Sequence, residues 1–439
     1  MRKLVHISML GFAFLLPFLT WVQAAGAALM ALLFNLFVLP RLGVDLRKRT
    51  RDEASGDVWT GIVIYPLSVL ALILFYRHSM HIVAAVWAIM ALGDGAAGVA
   101  GVALKGPALP WNRAKSWSGF GAFMVAGTLG AYALTRWVAP SLPTDHVWLI
   151  SFATAAVGAA VESVPIGLDD NLTVPLVAGA FMFCATLMDA SSFWSNFPFL
   201  RSRILLAIAV NLVFALLALS MKTVTWSGAG MGFLLGVAVY MSYGFRSFLI
   251  LLAFFVLGSV ATRLGYAKKA SRGVAEHRGG ARSWREASAN LLAGAFFSIL
   301  VITTPYQTAF LIALAATFAE AAGDTISSEI GQWVSDRAYL ITTLKPVPPG
   351  ENGGISIFGT LAGFTASAII AGLALALGLC NTQGAVVVFS AAAAGNLVDS
   401  VLGATLERRG LVTNGIVNFA GTSFAGALGA MVAWNWLAR

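Results

Sequence analysis

Apolar runs of about 17–25 residues recur from one end of this chain to the other, and that feature decides the fold class. A helix of that length spans the roughly 30 Å hydrocarbon core of a bilayer. Lipid offers no partners to backbone amides, so each run must satisfy its hydrogen bonds within itself. Charge is correspondingly scarce: 11% of the 439 residues are charged, against about a quarter in an ordinary soluble domain. The reading is an all-α, polytopic integral membrane helical bundle. Its spans fall near residues 7–21, 22–40, 58–76, 79–103, 117–136, 147–165, 172–190, 203–221, 224–240, 244–262, 286–303, 307–323, 355–378, 384–402 and 415–437, about fifteen transmembrane helices. Arg2 and Lys3 before an apolar stretch resemble a secretory signal, but a second apolar run follows at once, so both are read as retained spans.

Orientation follows from the basic residues. With the N-terminus inside, the inner loops receive 22 of the 28 Lys and Arg, the bias expected of cytoplasmic loops. The net charge of +9 is therefore a membrane signature, and no nucleic-acid partner is expected. The two cysteines, Cys184 and Cys380, lie in apolar runs and lack disulfide or zinc spacing. The loop 41–57 mixes signs and reads as a solvated hairpin. The loop 263–285 carries seven basic residues among Gly265, Gly273, Gly279 and Gly280. It suits either anionic lipid or phosphate held by free backbone amides.

Two polar constellations stand at the inner ends of spans. The first is Asp94, then Asn112, Arg113, Lys115 and Ser116, then Glu162-Ser163, then Asp169-Asp170-Asn171. The second is Asp324 and Glu329 in GDTISSEIG, then Lys345, then Asp399-Ser400, then Asn414 and Asn418. Carboxylates offer Mg²⁺ hard oxygen ligands, and Lys and Arg neutralise a phosphoryl group in transfer. Interhelical ion pairs are the structural alternative, but acids and bases gathered at one face favour function. Gly93-Asp94-Gly95-Ala96-Ala97-Gly98 matches G-x-G-x-x-G without the strand that motif needs. Gly93, Ala97 and Gly101 read instead as a close-packing helix face. Asp94 to Lys115 and Asp324 to Lys345 are both intervals of 21 positions, which suggests two related halves.

These residues carry two resemblances. Residues 1–222 resemble the phytol kinase and dolichol kinase family through Arg2-Lys3-Leu4-Val5-His6, Gly93-Asp94-Gly95, Leu109-Pro110-Trp111-Asn112-Arg113-Ala114-Lys115-Ser116, Glu162-Ser163 and Asp169-Asp170-Asn171-Leu172-Thr173-Val174-Pro175. Residues 223–439 resemble the membrane family containing chloroplast phytyl-phosphate kinase. There the matching pieces are Thr262 to Lys269, Arg278-Gly279-Gly280, Gly323-Asp324-Thr325 through Ser328-Glu329-Ile330-Gly331, Pro348-Pro349-Gly350, Asp399-Ser400 through Leu406, Asn414 and Asn418. Arg2 to His6 opens the chain, and no upstream extension is expected.

The resemblance implies a fused, bifunctional isoprenoid salvage kinase in the inner membrane of a bacterium, with both sites facing the cytoplasm. An isoprenol such as phytol, geranylgeraniol or farnesol would become a monophosphate in the first half and a diphosphate in the second. The donor would be CTP or another NTP, with Mg²⁺. Asp94, Glu162, Asp169 and Asp170 would hold metal or act in catalysis, with Asp170 or His6 as base. Lys115, Asn112, Arg113, Ser116 and Asn171 would hold phosphates. In the second half Asp324, Glu329 and Asp399 would hold metal, and Lys345, Arg263, Lys268, Arg278, Asn414 and Asn418 would hold phosphates. The rivals are a cytidylyltransferase acting on a lipid phosphate and a membrane transporter.

Overall fold

The computed structural model describes residues 9–43, 47–48, 58–59 and 61–437. The stretch Arg2 to His6, with the candidate base His6, lies outside the described residues, as does the side chain of Arg278. Two compact units divide the chain, Met1–Leu187 and Met188–Arg439.

In the N-terminal unit a 3-10 helix (Met9–Phe18) precedes α1 (Trp21–Leu33). A small antiparallel pair, β1 (Arg47–Lys48) and β2 (Val58–Trp59), forms the expected hairpin in the first polar loop. Then come α2 (Gly61–Phe75), α3 (Met80–Ala88), α4 (Asp94–Leu104), the hairpin β3 (Ala108–Leu109) and β4 (Asn112–Ser116), α5 (Trp117–Val138), α6 (Thr144–Ser163) and α7 (Asp170–Thr186). A π-helical turn, Ile89–Gly93, joins α3 to α4 immediately before Asp94. The residues from Ile82 to Ala91 are buried and form the core with Phe123, Ala155 and Ala159.

The C-terminal unit holds α8 (Ala190–Ser220), α9 (Trp226–Tyr243), α10 (Phe245–Arg263), the short α11 (Tyr266–Ser271), α12 (Trp284–Thr303) and α13 (Gln307–Val334). A three-stranded sheet follows, β5 (Ala338–Leu340) between β6 (Pro346–Val347) and β7 (Gly354–Ile355). The chain closes with α14 (Ile357–Ala376), α15 (Thr382–Leu402) and α16 (Asn414–Val432).

Among the described residues, ten helices are long and apolar enough to cross a membrane, and Met9–Phe18, Gly61–Phe75 and Asp170–Thr186 are shorter apolar helices. With α5 and α9, every expected span is helical. Two spans differ in length. α8 runs back to Ala190 through Arg201 and Arg203, because Asp189 caps it by accepting from the Ser192 amide at 3.0 Å. α13 does not stop at residue 323 but continues to Val334, so GDTISSEIG is helix rather than loop and carries Asp324 and Glu329 on a rigid rod.

The same local design recurs in both units. A Cβ on Gly119 would lie 3.1 Å from the Ala97 carbonyl oxygen, and one on Gly101 would lie 3.3 Å from the Ser116 hydroxyl. In the other unit a Cβ on Gly359 would lie 2.5 Å from the Ser327 carbonyl oxygen, and one on Gly331 would lie 2.9 Å from the Ser356 hydroxyl. Small residues thus bring α4 onto α5 and α13 onto α14 at backbone distance. Ser116 and Ser356 also cap their helices alike, each accepting at 3.2 Å from the amide three residues on, Gly119 and Gly359. Gly93-Asp94 therefore corresponds to Gly323-Asp324, and Met90 to Glu320. The capping serines correct one pairing: the residue before Ser116 is Lys115, and the residue before Ser356 is Ile355. Lys345 lies instead on the exposed turn between β5 and β6, so the equal interval of 21 positions is not a structural equivalence.

These contacts set an order of sensitivity. Gly359→Ala should destabilise the protein more than Gly119→Ala, because its new methyl meets backbone at a shorter distance. The larger loss should reach about 1–3 kcal/mol, the usual size for overpacking. Thermal melts of the detergent-solubilised variants would measure it.

Candidate functional site

In the N-terminal unit three elements, β4, α6 and α7, meet at one ammonium. Lys115, on β4, forms an ion pair with Glu162 at the end of α6 and lies 3.2 Å from Asp170, the first residue of α7. The charge of Asp94, at the start of α4, also reaches Asp170. Burial pushes the Lys115 pKa down, but the Asp170 and Glu162 carboxylates outweigh it and hold the ammonium above its ordinary value. Asp94, Lys115, Glu162 and Asp170 are thus brought together as expected.

Their sequence neighbours do other work. Asn112 donates to the Ser163 carbonyl at 3.0 Å, and Trp111 donates to the Ser163 hydroxyl at 3.1 Å, which pins the hairpin to the end of α6. Asp169 caps α7, accepting from the backbone and side-chain nitrogens of Asn171 at 2.9 and 2.7 Å. Ser116 is taken up by its own cap. Arg113 is exposed.

The C-terminal unit contains a cavity of about 1230 Å³. Its walls are the loop from Gly273 to Ser283 with the first turn of α12, the last turns of α13, the segment from Pro349 to Ser356, and the facing ends of α15 and α16. Asp324, Glu329, Asp399, Asn414 and Asn418 all line it. Three expected phosphate ligands do not. Arg263 turns away to donate to the Met221 carbonyl at 2.7 Å, and Lys268 and Lys345 are exposed outside the lining. The basic wall is built by Arg282 and Arg285 instead.

Gly280 explains how the loop turns into the wall. It sits at φ +84°, where a side chain is strained, and a Cβ there would also collide with Thr262. The Arg282 backbone then bridges two threonines: its amide donates to the Thr223 carbonyl at 3.0 Å, and its carbonyl accepts from the Thr225 amide at 2.9 Å. The guanidinium lies 5.3 Å from the centre of the Phe254 ring. Burial pulls its pKa below the ordinary value, opposed by Glu276, Glu329 and Glu286.

Glu329 is not a free carboxylate. It is ion-paired with Lys269, which is fully buried and also donates to the carbonyls of Ala261 and Thr262 at 3.2 and 2.9 Å. All three ammonium donors are thereby used. Arg272 adds a second tie, donating to the Gln332 and Ser335 carbonyls at 2.9 and 2.8 Å at the C-terminal end of α13.

Asp324 and Asp399 line the cavity as well. The Asp324 and Asp399 carboxyls lie within hydrogen-bond reach of each other. Asp399 Oδ2 and Asn418 Oδ1 are buried with no hydrogen-bond partner. A second π-helical turn, Gly403–Glu407, follows α15, and its Glu407 hydrogen-bonds Asn414. Among the described residues no three His, Cys, Asp or Glu side chains form a ready-made metal cage. Mg²⁺ rarely uses one: it commonly takes one or two carboxylates and keeps its waters. Asp324 and Asp399 fit that pattern.

Residues 209–434 match the family described as integral membrane protein DUF92. The chain belongs to that family. An uncharacterised membrane protein, sll0875, from Synechocystis is 35% identical over 211 residues, 46% of this chain and 82% of its own length. Protein VTE6, chloroplastic, from Arabidopsis thaliana is 35% identical over 236 residues, 52% of this chain and 70% of that protein. A probable phytol kinase 3, chloroplastic, from Glycine max is 34% identical over 202 residues, 40% of this chain and 60% of that protein. No solved structure matches the chain. The expected relatedness to phytol kinases thus holds within this DUF92 chain.

Sequence reasoning passed over Lys269, Arg282, Arg285, Glu320 and Glu407. For Glu320 a signal was present, since it is a lone acid in the apolar run ATFAEAAGD. The Lys269 pair yields a direct prediction. Lys269→Met should destabilise the protein by about 3–5 kcal/mol, because it leaves Glu329 buried and uncompensated. Adding Glu329→Gln should restore most of the loss. Chemical-denaturation or thermal curves on the single and double variants would test this.

Proposed function

We propose that this chain is a membrane prenol-phosphorylating enzyme with one phosphoryl-transfer site in each unit. The N-terminal site would convert an isoprenol to its monophosphate, and the C-terminal site would convert that to the diphosphate. One observation carries the reading: a large cavity at the ends of membrane-length helices is lined by Arg282 and Arg285 together with Asp324 and Asp399. Small-molecule pockets commonly measure about 300–1000 Å³, so about 1230 Å³ leaves room for a nucleotide and a lipid phosphate together. The phytol kinase relative supports the substrate class.

In the N-terminal unit the isoprenol hydroxyl oxygen attacks the terminal phosphorus of the nucleotide. The bond to the bridging oxygen breaks and the nucleoside diphosphate leaves. Asp170 takes the hydroxyl proton, and Lys115 moves from its carboxylates to the phosphate charge that develops. In the C-terminal unit the acceptor is already an anion, so no base is needed. Arg282 and Arg285 align the two phosphates, and positioning with charge neutralisation does the rest. Mg²⁺ on Asp324 and Asp399, and on Asp94 and Asp170, would supply further positive charge to the phosphates. Both sites lie at the cytoplasmic face of an inner membrane, where the basic loops gather. CTP and other NTPs are the candidate donors.

Purified protein given phytol, geranylgeraniol or farnesol with CTP or ATP and Mg²⁺ should yield prenyl monophosphate and diphosphate, detected by mass, with release of nucleoside diphosphate. Release of pyrophosphate would instead identify a cytidylyltransferase, and no nucleotide turnover with any prenol would favour a transporter. Asp324→Asn should lower conversion of monophosphate by at least about 100-fold, the usual loss when a transition-state charge partner goes. Monophosphate should then accumulate. Asp94→Asn should do the converse, abolishing alcohol phosphorylation while supplied monophosphate is still converted. Loss of both activities in either folded variant would end the two-site reading.

A further inference from the structure

We infer that Glu320, together with Asp399 and the amide oxygen of Asn418 in the cavity lining, binds a divalent cation. The site deepens the kinase reading by naming where a cation would sit, but it stands on its own geometry.

Glu320 precedes Asp324 by one turn of α13 and is 1% exposed. Neither of its carboxylate oxygens has a hydrogen-bond partner. Asp399, 8% exposed, leaves Oδ2 unbonded, and Asn418 leaves Oδ1 unbonded. The two acids face each other across Gly421. A Cβ built there would lie 2.6 Å from Glu320 Oε1 and 3.3 Å from Asp399 Oδ2, so the two oxygens are no farther apart than those distances added together. A cation such as Mg²⁺ or Mn²⁺ holding each oxygen at roughly 2.0–2.2 Å would draw the two carboxylates to within about 4.4 Å of each other.

Among the described residues no cation answers these charges. The groups acting on Glu320 are Asp399 and Asp324, both acidic. Lys269 is committed to Glu329, and Arg282 answers to Glu276, Glu329 and Glu286. A buried carboxylate without a partner either keeps its proton or takes a counter-charge, and a divalent cation supplies the latter. Packing does not require an acid here. Met90 holds the corresponding station in the N-terminal unit, fully buried among apolar neighbours. The oxygens offered, two carboxylates and an amide, are the hard ligands that Mg²⁺ and Mn²⁺ prefer.

Mn²⁺ is the probe. The full-length protein is reconstituted in nanodiscs with Asp94→Asn, which removes the other unit's proposed cation ligand. Bound Mn²⁺ is read by electron paramagnetic resonance and by the shift in melting temperature it causes. Glu320→Gln should weaken Mn²⁺ binding at least about tenfold and reduce the melting shift, and Asp399→Asn should do the same. If Glu320→Gln does not fold, Asn418→Leu replaces it, with weaker binding again expected. Equal Mn²⁺ titrations for the parent protein and these variants would overturn the site, as would a parent protein that binds no Mn²⁺. Mn²⁺ binding that is lost on Glu320→Gln, when the protein with Asp94 intact phosphorylates neither a prenol nor a prenyl monophosphate, would uphold the site and sink the kinase reading. Prenyl phosphate turnover with Mn²⁺ binding unchanged by Glu320→Gln would do the reverse.

Discussion

A charge inside an apolar helix bundle has to be answered by an opposite charge, and this requirement organises both units. Where the answer comes from the protein, the result is structural. Lys269 closes on Glu329 and two carbonyls, and so fastens the short helix α11 to the rod of α13. At Glu320, and at Oδ2 of Asp399, the carboxylate oxygens have no hydrogen-bond partner in the protein, and the proposed cation would answer them. Lys115 stands between these cases: its two carboxylate partners hold it, yet it is half-exposed and free to exchange them.

The two units use one frame for different electrostatics. A glycine-bearing helix, a small β element, a serine cap and a close-packed second helix recur in both. In the N-terminal unit the cation rides on the hairpin, directly before the capping serine. In the C-terminal unit that station is Ile355, and the cations come from the loop ahead of α12 and from its first turn. The acids differ too, since Met90 stands where the other unit has Glu320. A shared backbone with redistributed charge is what duplication followed by divergence of two chemically related sites produces.

Most of the architecture was legible because apolar run length and helix rise are tightly coupled. Every expected span is helical, and the close-packing role of Gly93, Ala97 and Gly101 is realised against Phe123, Gly119 and Ser116. Asp94, Lys115, Glu162 and Asp170 could be grouped because all four fell at predicted inner ends. The basic wall of the cavity was not legible. A run of seven basic residues says that the loop is cationic, but only its turns at Gly273 and Gly280 decide that Arg282 and Arg285 face inward while Lys268 faces out. The end of α13 was hidden for a related reason. Polar residues in GDTISSEIG look like a loop, whereas here they face a cavity and keep the helix intact.

That unbroken α13 has a consequence for how the protein can change. Glu320, Asp324 and Glu329 share one continuous helix, so their relative bearings are fixed by helical pitch rather than by loop conformation. A single residue inserted between them would swing the later groups by about 100° around the axis. Natural variants should therefore alter this wall by exchanging side chains in place, and length variation should collect in the turns that carry the arginines.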